Sequence, residues 1–329
     1  MISESLVQAV KAAFPEADVD AIKPDLQLGR LAGWDSMNAV NLLLEINERC
    51  GVDIEGFSLK DSTTIGDLAT AIGGRRPAAA TATSGAIHLS AIVDGALIGV
   101  GSSVDSGAVI RAGAIIGKNC RIHPGVIIES WVTIGDDCEI FPHALLGKEA
   151  RSPGVTARAI REGGHTSIGN GCQIGPNAVI YRGVRIGNRC LIGDCASIRE
   201  QTTIGDQCII SRCVTINYEV VIGNRVKIMD LTHVTGRVLI EDDVFISVSV
   251  AMANDNSLSS SVYDPVAVRG PTIRTGAFIG IGAILLPGIE VGSQSVVAAG
   301  SLVTKSLPAG VLVAGQPARV VKQIERQPG

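Results

Sequence analysis

Residues 168–210 read IGNGCQ IGPNAV IYRGVR IGNRCL IGDCAS IREQTT IGDQCI I. An isoleucine stands at every sixth position of this stretch, and a glycine follows it in most of the units. The residue four places after each isoleucine is usually small. Such internal repetition is the sequence signature of a repeat architecture, and a chain rich in glycine and poor in aromatic residues favours a repetitive β architecture.

The same period extends over most of the chain. Branched aliphatic residues or methionine recur every six positions through residues 92–146, 168–252 and 273–303, at thirty-one positions in total. Two stretches, residues 147–167 and 253–272, interrupt the period. The pattern resembles the hexapeptide repeat of left-handed parallel β-helix proteins, in which three six-residue faces make one 18-residue coil. The resemblance implies an all-β left-handed parallel β-helix of about ten coils over residues 86–329, with loop insertions at the two interruptions.

The composition agrees with a globular protein of this type. The 329 residues are 46% hydrophobic and 18% charged, with 39 glycines and only 3% aromatic residues. A formal net charge of −4 excludes the basic footprint of a nucleic-acid-binding protein. An uncharged apolar run of the ~18 residues that a membrane helix needs is absent, and the first residues lack the pattern of a signal peptide. We therefore expect a cytoplasmic protein without a membrane span.

The eight cysteines do not indicate a metal or redox centre. Five of them fall on the small inward position of the repeat, namely Cys120, Cys138, Cys172, Cys190 and Cys208. None belongs to a CxxC pair, and no HxxxxH pair of the hexapeptide carbonic anhydrase type occurs. We expect these five cysteines to be packing residues, and we expect no bound metal.

Residues 1–73 lack the period of six and read as a helical domain. Ser3 and Thr64 can cap a first and a last helix, and a middle helix follows Gly33-Trp34-Asp35-Ser36-Met37. This stretch resembles acyl carrier proteins over nearly the whole domain. The resemblance implies a small all-α four-helix carrier with 4′-phosphopantetheine on Ser36, attached by a phosphopantetheinyl transferase. Residues 74–85 have the composition of a flexible linker.

The two insertions are the places where chemistry is expected, because the repeats alone form a scaffold. The first contains Lys148, Arg151 and Arg158, which can hold a phosphate-bearing group or can simply be solvated. The second opens with Asn254-Asp255-Asn256, which suits hydrogen bonding to hydroxyl or amino groups, or an ordinary Asx turn.

Histidine is the usual general base near neutral pH. His233 precedes an inward position, and Asn254 lies 21 residues later, one coil up and three residues along. Strand geometry therefore predicts that these two residues are about 10 Å apart and face one cleft. Asp230 is a candidate to orient the imidazole and to bind substrate. His165, in the first insertion, is the second candidate base.

Residues 168–320 resemble hexapeptide-repeat acyltransferases, particularly those that acylate amino sugars of nucleotide-sugar pathways. The early coils also resemble UDP-N-acetylglucosamine O-acyltransferases of the lipid A route. The resemblance implies a homotrimer with sites between subunits. It also implies that Gly315, Pro317 and Ala318 lie near a pantetheine channel, and that Asn254 and Asp255 hold the acceptor, with Asn256 beside them.

These features predict an enzyme that transfers an acyl group from a phosphopantetheine thioester on Ser36 to an amine or hydroxyl of a small acceptor such as a sugar. His233 is the predicted base. One alternative is an acyl-coenzyme A-dependent N-acetyltransferase acting on an amino sugar or on an intermediate held by the carrier. A second alternative is a non-catalytic trimeric scaffold that displays carrier domains.

Overall fold

The structure is a computed structural model. It describes residues 2–18, 22–32, 34, 42, 45–46, 59–74, 87–156, 158–160, 164–256 and 267–324. The chain divides into two compact units, Met1–Ala82 and Thr83–Gly329.

In the described part of the first unit, two α-helices have defined ends, and both are capped at the N-terminus. Helix α1 spans Glu4–Ala13, and the Ser3 side chain accepts a hydrogen bond from the backbone N–H of Leu6. Helix α2 spans Ile65–Gly74. Its cap is reciprocal, because Thr64 Oγ1 accepts from the N–H of Asp67 (3.1 Å) while the Asp67 carboxylate accepts from the N–H of Thr64 (2.8 Å). Both caps agree with the sequence prediction.

The predicted four-helix carrier was wrong for the described part of this unit. Beside α1 and α2, the described residues contain a 3₁₀ turn at Leu28–Arg30 and the α-helical positions Leu42, Glu45 and Ile46. This turn ends at once, because Leu31 takes an extended conformation. Most of the residues assigned to the middle helix, including Ser36, lie outside the described residues.

The second unit is a solenoid of three sheets whose strands run parallel except for the last. The first sheet consists of β1 Ile92–Val93, β4 Val109–Ile110, β7 Ile127–Ile128, β10 Leu145–Lys148, β13 Val179–Tyr181, β16 Ser197–Ile198, β19 Thr215–Ile216, β22 His233–Val234, β25 Ala251–Met252, β28 Ile284–Leu285 and β31 Leu302–Val303. The second sheet consists of β2 Leu97–Ile98, β5 Ile115–Ile116, β8 Val132–Ile134, β11 Thr166–Ile168, β14 Arg185–Ile186, β17 Thr203–Ile204, β20 Val221–Ile222, β23 Leu239–Ile240, β26 Thr272–Ile273 and β29 Glu290–Val291. The third sheet consists of β3 Ser103–Val104, β6 Arg121–Ile122, β9 Glu139–Ile140, β12 Gln173–Ile174, β15 Leu191–Ile192, β18 Ile209–Ile210, β21 Lys227–Ile228, β24 Phe245–Ile246, β27 Phe278–Ile279, β30 Val296–Val297, β32 Val311–Gly315 and β33 Ala318–Gln323.

The aliphatic residues of the repeat form the core of the solenoid. Residues in equivalent positions of successive coils pair in register, as Ile180 does with Ile198 and Ile198 with Ile216. These inward side chains are fully buried. The five cysteines on the small inward position are also buried in the same cluster, as predicted.

The predicted number of about ten coils was too small. The three sheets contain 11, 10 and 12 strands, so the solenoid has about twelve turns along its longest sheet. The period of six ends at Val303, but the chain adds β32 to the third sheet and then β33, which runs antiparallel to β32. A hairpin of this kind does not carry the six-residue period, so counting repeats could not include it.

Three edges join the sheets, and each carries its own column of residues. The loop edge leads from the first sheet to the second and carries Arg182, Glu200, Tyr218, Gly236 and Asn254. The cysteine edge leads from the second sheet to the third and carries Cys120, Cys138, Cys172, Cys190 and Cys208. The hairpin edge leads from the third sheet to the first and carries Arg212, Asp230 and Gly315.

Candidate active site

Both insertions leave the solenoid at the loop edge. The first begins where β10 ends at Lys148 and returns at Thr166 in β11. The second begins where β25 ends at Met252 and returns at Thr272 in β26. Four strands of the first sheet, β13 to β22, lie between these two exits. The insertions therefore flank one stretch of the solenoid surface, and this stretch contains His233.

His233 lies in β22, and its imidazole is half-buried. Its Nδ1 lies 2.7 Å from Oγ1 of Thr215, the residue directly below it in β19. None of the described residues forms a hydrogen bond with Nε2. Burial lowers the pKa of His233 below its ordinary value of 6.5, so the ring is neutral at neutral pH. When Nδ1–H donates to Thr215, Nε2 keeps a lone pair that can accept a proton.

Thr215 takes the orienting position that the sequence analysis gave to Asp230. The Asp230 carboxylate instead accepts hydrogen bonds from the Ser211 hydroxyl and from the backbone N–H and guanidinium of Arg212 (3.1 and 2.5 Å). The hydrogen bonds from Ser211 and Arg212 lower the pKa of Asp230. Thr215 was missed, although it stands one 18-residue coil before His233 and the repeat length points to it.

Asn254 lies at the root of the second insertion. Its Nδ2 donates to the carbonyl oxygen of Gly236, one coil below, at 3.2 Å. The backbone carbonyl oxygen of Asn254 accepts a hydrogen bond from the backbone N–H of Arg269, where the insertion returns, at 2.8 Å. Asn254 therefore ties the two ends of the insertion to the loop edge. Asp255 and Asn256, the next two residues, are exposed.

Arg158 brings the first insertion across the loop edge towards Asn254. Its guanidinium forms an ion pair with Glu200 and lies 3.7 Å from the ring centre of Tyr218. The Tyr218 ring in turn covers Gly236, where an added Cβ would be 2.7 Å from Cζ of the tyrosine. A continuous column of contacts thus runs from Arg158 through Tyr218 and Gly236 to Asn254.

Glu200 is the anchor of this column. Its side chain is 2% exposed, and Arg199 holds it from a second side at 3.0 Å. Burial acts to raise the pKa of Glu200, but a backbone hydrogen bond and the bonds from Arg158 and Arg199 outweigh it and keep the pKa below 4.5. Glu200 and Tyr218 were not recognised in the sequence, because the period does not reveal how far an inserted loop reaches.

Arg151 and His165 do not join His233. Arg151 is exposed and pairs with Glu149 at 2.5 Å. His165 Nε2 lies 2.9 Å from Oγ1 of Thr133, on the side of the second sheet. There it lines a cavity of about 590 Å³ together with Arg185 and other residues.

Gly315, Pro317 and Ala318 form the tip of the terminal hairpin. Gly315 pairs with Ala318 and has a φ of 101°, a left-handed value that favours glycine. The Gln316 side chain donates to the carbonyl oxygen of Gly300 at 2.7 Å. The hairpin stands at the hairpin edge, beside the end of the first sheet. Four coil spacings, or about 19 Å, separate it from the level of His233.

Ser36 itself lies outside the described residues, but its neighbours on both sides are anchored. Trp34 donates from Nε1 to the Asp61 carboxylate at 2.8 Å and stacks on Phe14. Leu42 and Ile46 are fully buried in the core of the first unit. The attachment of phosphopantetheine at Ser36 stays a prediction.

The described residues contain no group of three or more His, Cys, Asp or Glu side chains that could hold a metal ion. Among the helices that the structure describes, none combines the length and apolarity that crossing a membrane requires.

Family models match four parts of the chain. The model of the phosphopantetheine attachment site matches residues 4–72. The bacterial transferase hexapeptide (six repeats) matches residues 113–148, and the hexapeptide repeat of succinyl-transferase matches residues 273–305. The chain joins a phosphopantetheine-attachment domain to a hexapeptide-repeat domain of the transferase type. The predicted combination of these two domains is therefore confirmed. Residues 162–268 match the GMPPB C-terminal domain.

Two curated relatives of the chain are acetyltransferases by name. Serine acetyltransferase of Buchnera aphidicola subsp. Acyrthosiphon pisum is 40% identical over 94 residues, which are 29% of this chain and 34% of that protein. The 2,3,4,5-tetrahydropyridine-2,6-dicarboxylate N-acetyltransferase of Clostridium perfringens is 40% identical over 68 residues, which are 21% of this chain and 29% of that protein. The chain spans about a third of the length of these relatives.

Among solved structures, a UDP-N-acetylglucosamine acyltransferase from Bacteroides fragilis is 23% identical, with a TM-score of 0.46. The similarity covers 67% of this chain and 74% of that one.

Proposed function

We propose that this chain is an acyltransferase that moves an acyl group from a phosphopantetheine thioester on Ser36 to an amine or hydroxyl of a small acceptor. The observation that carries the proposal is His233, whose Nδ1 is bonded to Thr215 while no described residue bonds Nε2. It lies on the stretch of the first sheet that both insertions flank. The attachment-site match over residues 4–72 supports the donor.

His233 is the proposed general base. Its lowered pKa keeps the imidazole neutral, and Thr215 fixes the ring so that Nε2 faces one direction. Nε2 takes the proton from the acceptor amine or hydroxyl as that group attacks the thioester carbon. The carbon–sulfur bond then breaks, and His233 returns the proton to the leaving sulfur, so that a free thiol remains. A base placed in this way contributes about 100- to 10,000-fold to the rate.

The second insertion is the proposed acceptor side of the site. Asp255 and Asn256 are exposed and follow directly on Asn254, which is tied to Gly236. Carboxylate and amide groups suit the hydroxyl and amino groups of a sugar or amino acid. The guanidinium of Arg158, which lies over the Tyr218 ring, is the proposed contribution of the first insertion to the same site. A backbone N–H of this edge is the proposed donor to the oxyanion.

The donor arm approaches along the hairpin edge. Phosphopantetheine, when bound, supplies a thiol that carries the acyl group as a thioester. Gly315 and Ala318 at the hairpin tip leave the backbone open beside such an arm, and the first sheet leads from there to His233. The homotrimer remains part of the proposal, and light scattering of the full chain tests it.

A second candidate is transfer from free acyl-coenzyme A, which the names of the acetyltransferase relatives favour. In that case the same base would act, and the carrier would hold the acceptor or serve another step. The two donors differ in their need for Ser36.

The deciding experiment loads the full chain with a phosphopantetheinyl transferase and acetyl-coenzyme A. Free coenzyme is then removed, and intact-mass spectrometry follows the acyl group while a panel of amino sugars and hydroxy amino acids is added. We expect acetyl-pantetheine on the wild-type chain, none on Ser36→Ala, and loss of the acetyl group together with an acetylated acceptor.

Two results would contradict the proposal in different ways. If Ser36 takes no pantetheine from a competent transferase, the donor is wrong. If Ser36→Ala acetylates the acceptors from free acetyl-coenzyme A as fast as the wild type does, the coenzyme A alternative replaces it.

A further inference from the structure

A second cavity opens at the loop edge where the first insertion leaves the solenoid. It has a volume of about 410 Å³, and its lining includes Glu129, Trp131, Lys148 and Arg182. Gly147 allows the outgoing chain to pack closely against the coil beside this cavity. An added Cβ would be 2.6 Å from Val132 and 3.1 Å from Cβ of Glu129. Its size falls within the range of small-molecule sites.

Trp131 lies at the mouth of this cavity and adds little to the core. It stands at the left-handed corner of the loop edge with a φ of 65°, a corner that Gly113 holds one coil earlier and Gln201 and Glu219 hold in later coils. Its side chain is 58% exposed. An exposed indole at the mouth of a cavity is a surface on which an aromatic ring can stack.

The cavity lining carries an excess of cations, with Lys148, Arg151 and Arg182 beside the carboxylates of Glu129 and Glu149. Arg151 pairs with Glu149, and Lys148 Nζ lies 5.0 Å from the centre of the Tyr181 ring. Neither Lys148 nor Arg182 forms an ion pair with a described residue. The Nε of Arg182 is buried without a hydrogen-bond partner among the described residues, so a ligand in the cavity would meet the other guanidinium nitrogens.

We propose that this cavity binds a nucleoside diphosphate. The base stacks on Trp131, the phosphates lie between Lys148 and Arg182, and the Glu129 carboxylate accepts hydrogen bonds from the ribose hydroxyls. Stacking on an aromatic side chain and charge-assisted bonds to phosphate are the two interactions that nucleotides use most generally. Because stacking tolerates any base, the site takes purine and pyrimidine nucleotides alike.

The cavity is separate from the candidate active site. Four coil spacings, or about 19 Å, lie between the levels of Lys148 and His233. The Arg158–Glu200 ion pair stands between them on the same edge. Nucleotide binding here and acyl transfer at His233 can therefore be tested, and can fail, independently.

Fluorescence of the full-length Trp34→Phe variant tests this proposal, because Trp131 is then the single tryptophan. ADP and UDP are titrated separately, with uridine and inorganic pyrophosphate as half-ligands. We expect saturable quenching by both nucleotides and binding that is at least about tenfold weaker for each half-ligand.

Calorimetry on variants locates the site. Trp131→Gly introduces the residue that Gly113 provides at this corner one coil earlier, so it is expected to fold, and it should weaken UDP binding about tenfold. Arg182→Gln should weaken it by a similar factor. Arg225→Gln removes an exposed arginine on the cysteine edge and serves as the matched control, with unchanged affinity.

The proposal is overturned if neither nucleotide binds saturably. It is also overturned if Trp131→Gly and Arg182→Gln bind UDP as the control does. Pyrophosphate binding as tight as UDP would reduce the site to a simple anion site and would remove the role of Trp131.

Discussion

The cysteine edge and the loop edge are built on the same 18-residue repeat but satisfy their backbones differently. Along the cysteine edge, an Asn or Asp side chain of each coil accepts a hydrogen bond from the backbone N–H of the coil before it. The six bonds from Lys118 to Asp242 measure 2.7–2.9 Å and form one ladder. Glycines precede the ladder residues in most coils, because a side chain there would strike the next backbone.

The loop edge has no such continuous ladder among the described residues. Aromatic, cationic and acidic side chains occupy it, and two insertions leave from it. Its contacts combine coil-to-coil pairs, such as Arg237 with Glu219 at 2.9 Å, with contacts from a loop residue, Arg158. The regular Asn and Asp ladder leaves no place for an insertion, whereas the irregular contacts of the loop edge leave room for loops and ligands. The comparison assigns stability to the first edge and chemistry to the second.

The largest effect on activity is expected when the proposed general base is removed. His233→Asn should lower the rate of acyl transfer about 1,000-fold. His165→Asn is the matched control on the second sheet, and its rate should stay within about threefold of the wild-type rate. Equal losses in both variants would contradict the assignment of the base.

The pH profile of the same reaction follows from the lowered pKa of His233. Neutral imidazole is the active form, so the rate should be flat above pH 6.5 and fall as the pH drops through the lowered pKa. A fall that begins above pH 6.5 would point to another group.

Glu200→Gln tests the anchor of the loop edge. Removing the charge of a buried carboxylate that two arginines hold should cost about 3 kcal/mol and lower the melting temperature of the solenoid by about 9 °C. It should also expose residues 149–165 to proteases. Glu149→Gln breaks the exposed pair with Arg151 and should cost less than about 0.5 kcal/mol. Equal shifts in the two variants would mean that Glu200 is not an anchor.

Acid should reproduce this effect in the wild type. The folded-state pKa of Glu200 lies below 4.5, so its stabilisation is present above that pH and is lost as the pH falls through the folded value. Protease resistance of the first insertion should therefore decline below about pH 4.5 in the wild type. In Glu200→Gln the same decline should be absent, since the titrating group is gone.

A smaller effect is expected at the cysteine edge. An added Cβ at Gly205 would lie 2.6 Å from Oδ1 of Asn224 and 2.7 Å from the carbonyl oxygen of Gly223. Gly205→Ala should cost about 2 kcal/mol and lower the melting temperature by about 6 °C, without changing catalysis. Gly164→Ala, in the first insertion, meets nothing within 4 Å and should melt as the wild type does. Reversal of this order would remove the distinction between the two edges.

Much of the solenoid could be predicted from the sequence, because each six-residue unit of the period corresponds to one strand and the edge that follows it. Each of the thirty-one periodic positions from Ile92 to Val303 lies in a strand of the structure. The terminal hairpin escaped because antiparallel pairing follows another period. The position of Asn254, one coil beyond His233 and three residues along, could be worked out from the coil length, since His233 pairs with Ala251. The separation of about 10 Å and the shared cleft stay predictions. Thr215 could have been found by the same arithmetic.

The contacts of the loop edge could not be predicted in this way. Arg158 reaches Glu200 across 42 residues through a loop that has no period. Glu200 stands at an ordinary corner position, and only the fold shows that its side chain is buried. Trp131 likewise looks like any other corner residue until its exposure and its cationic neighbours are seen together.

The in-register stacking of whole coils has a consequence for how such a protein can change over evolutionary time. Strands β13, β16, β19 and β22 separate the exits of the two insertions. Deleting or duplicating 18 residues between them would move the loops together or apart by a fixed step of about 4.8 Å and return every outward column to its place. The distance between the two loops can therefore change only in whole coil steps, and the number of coils between them determines it.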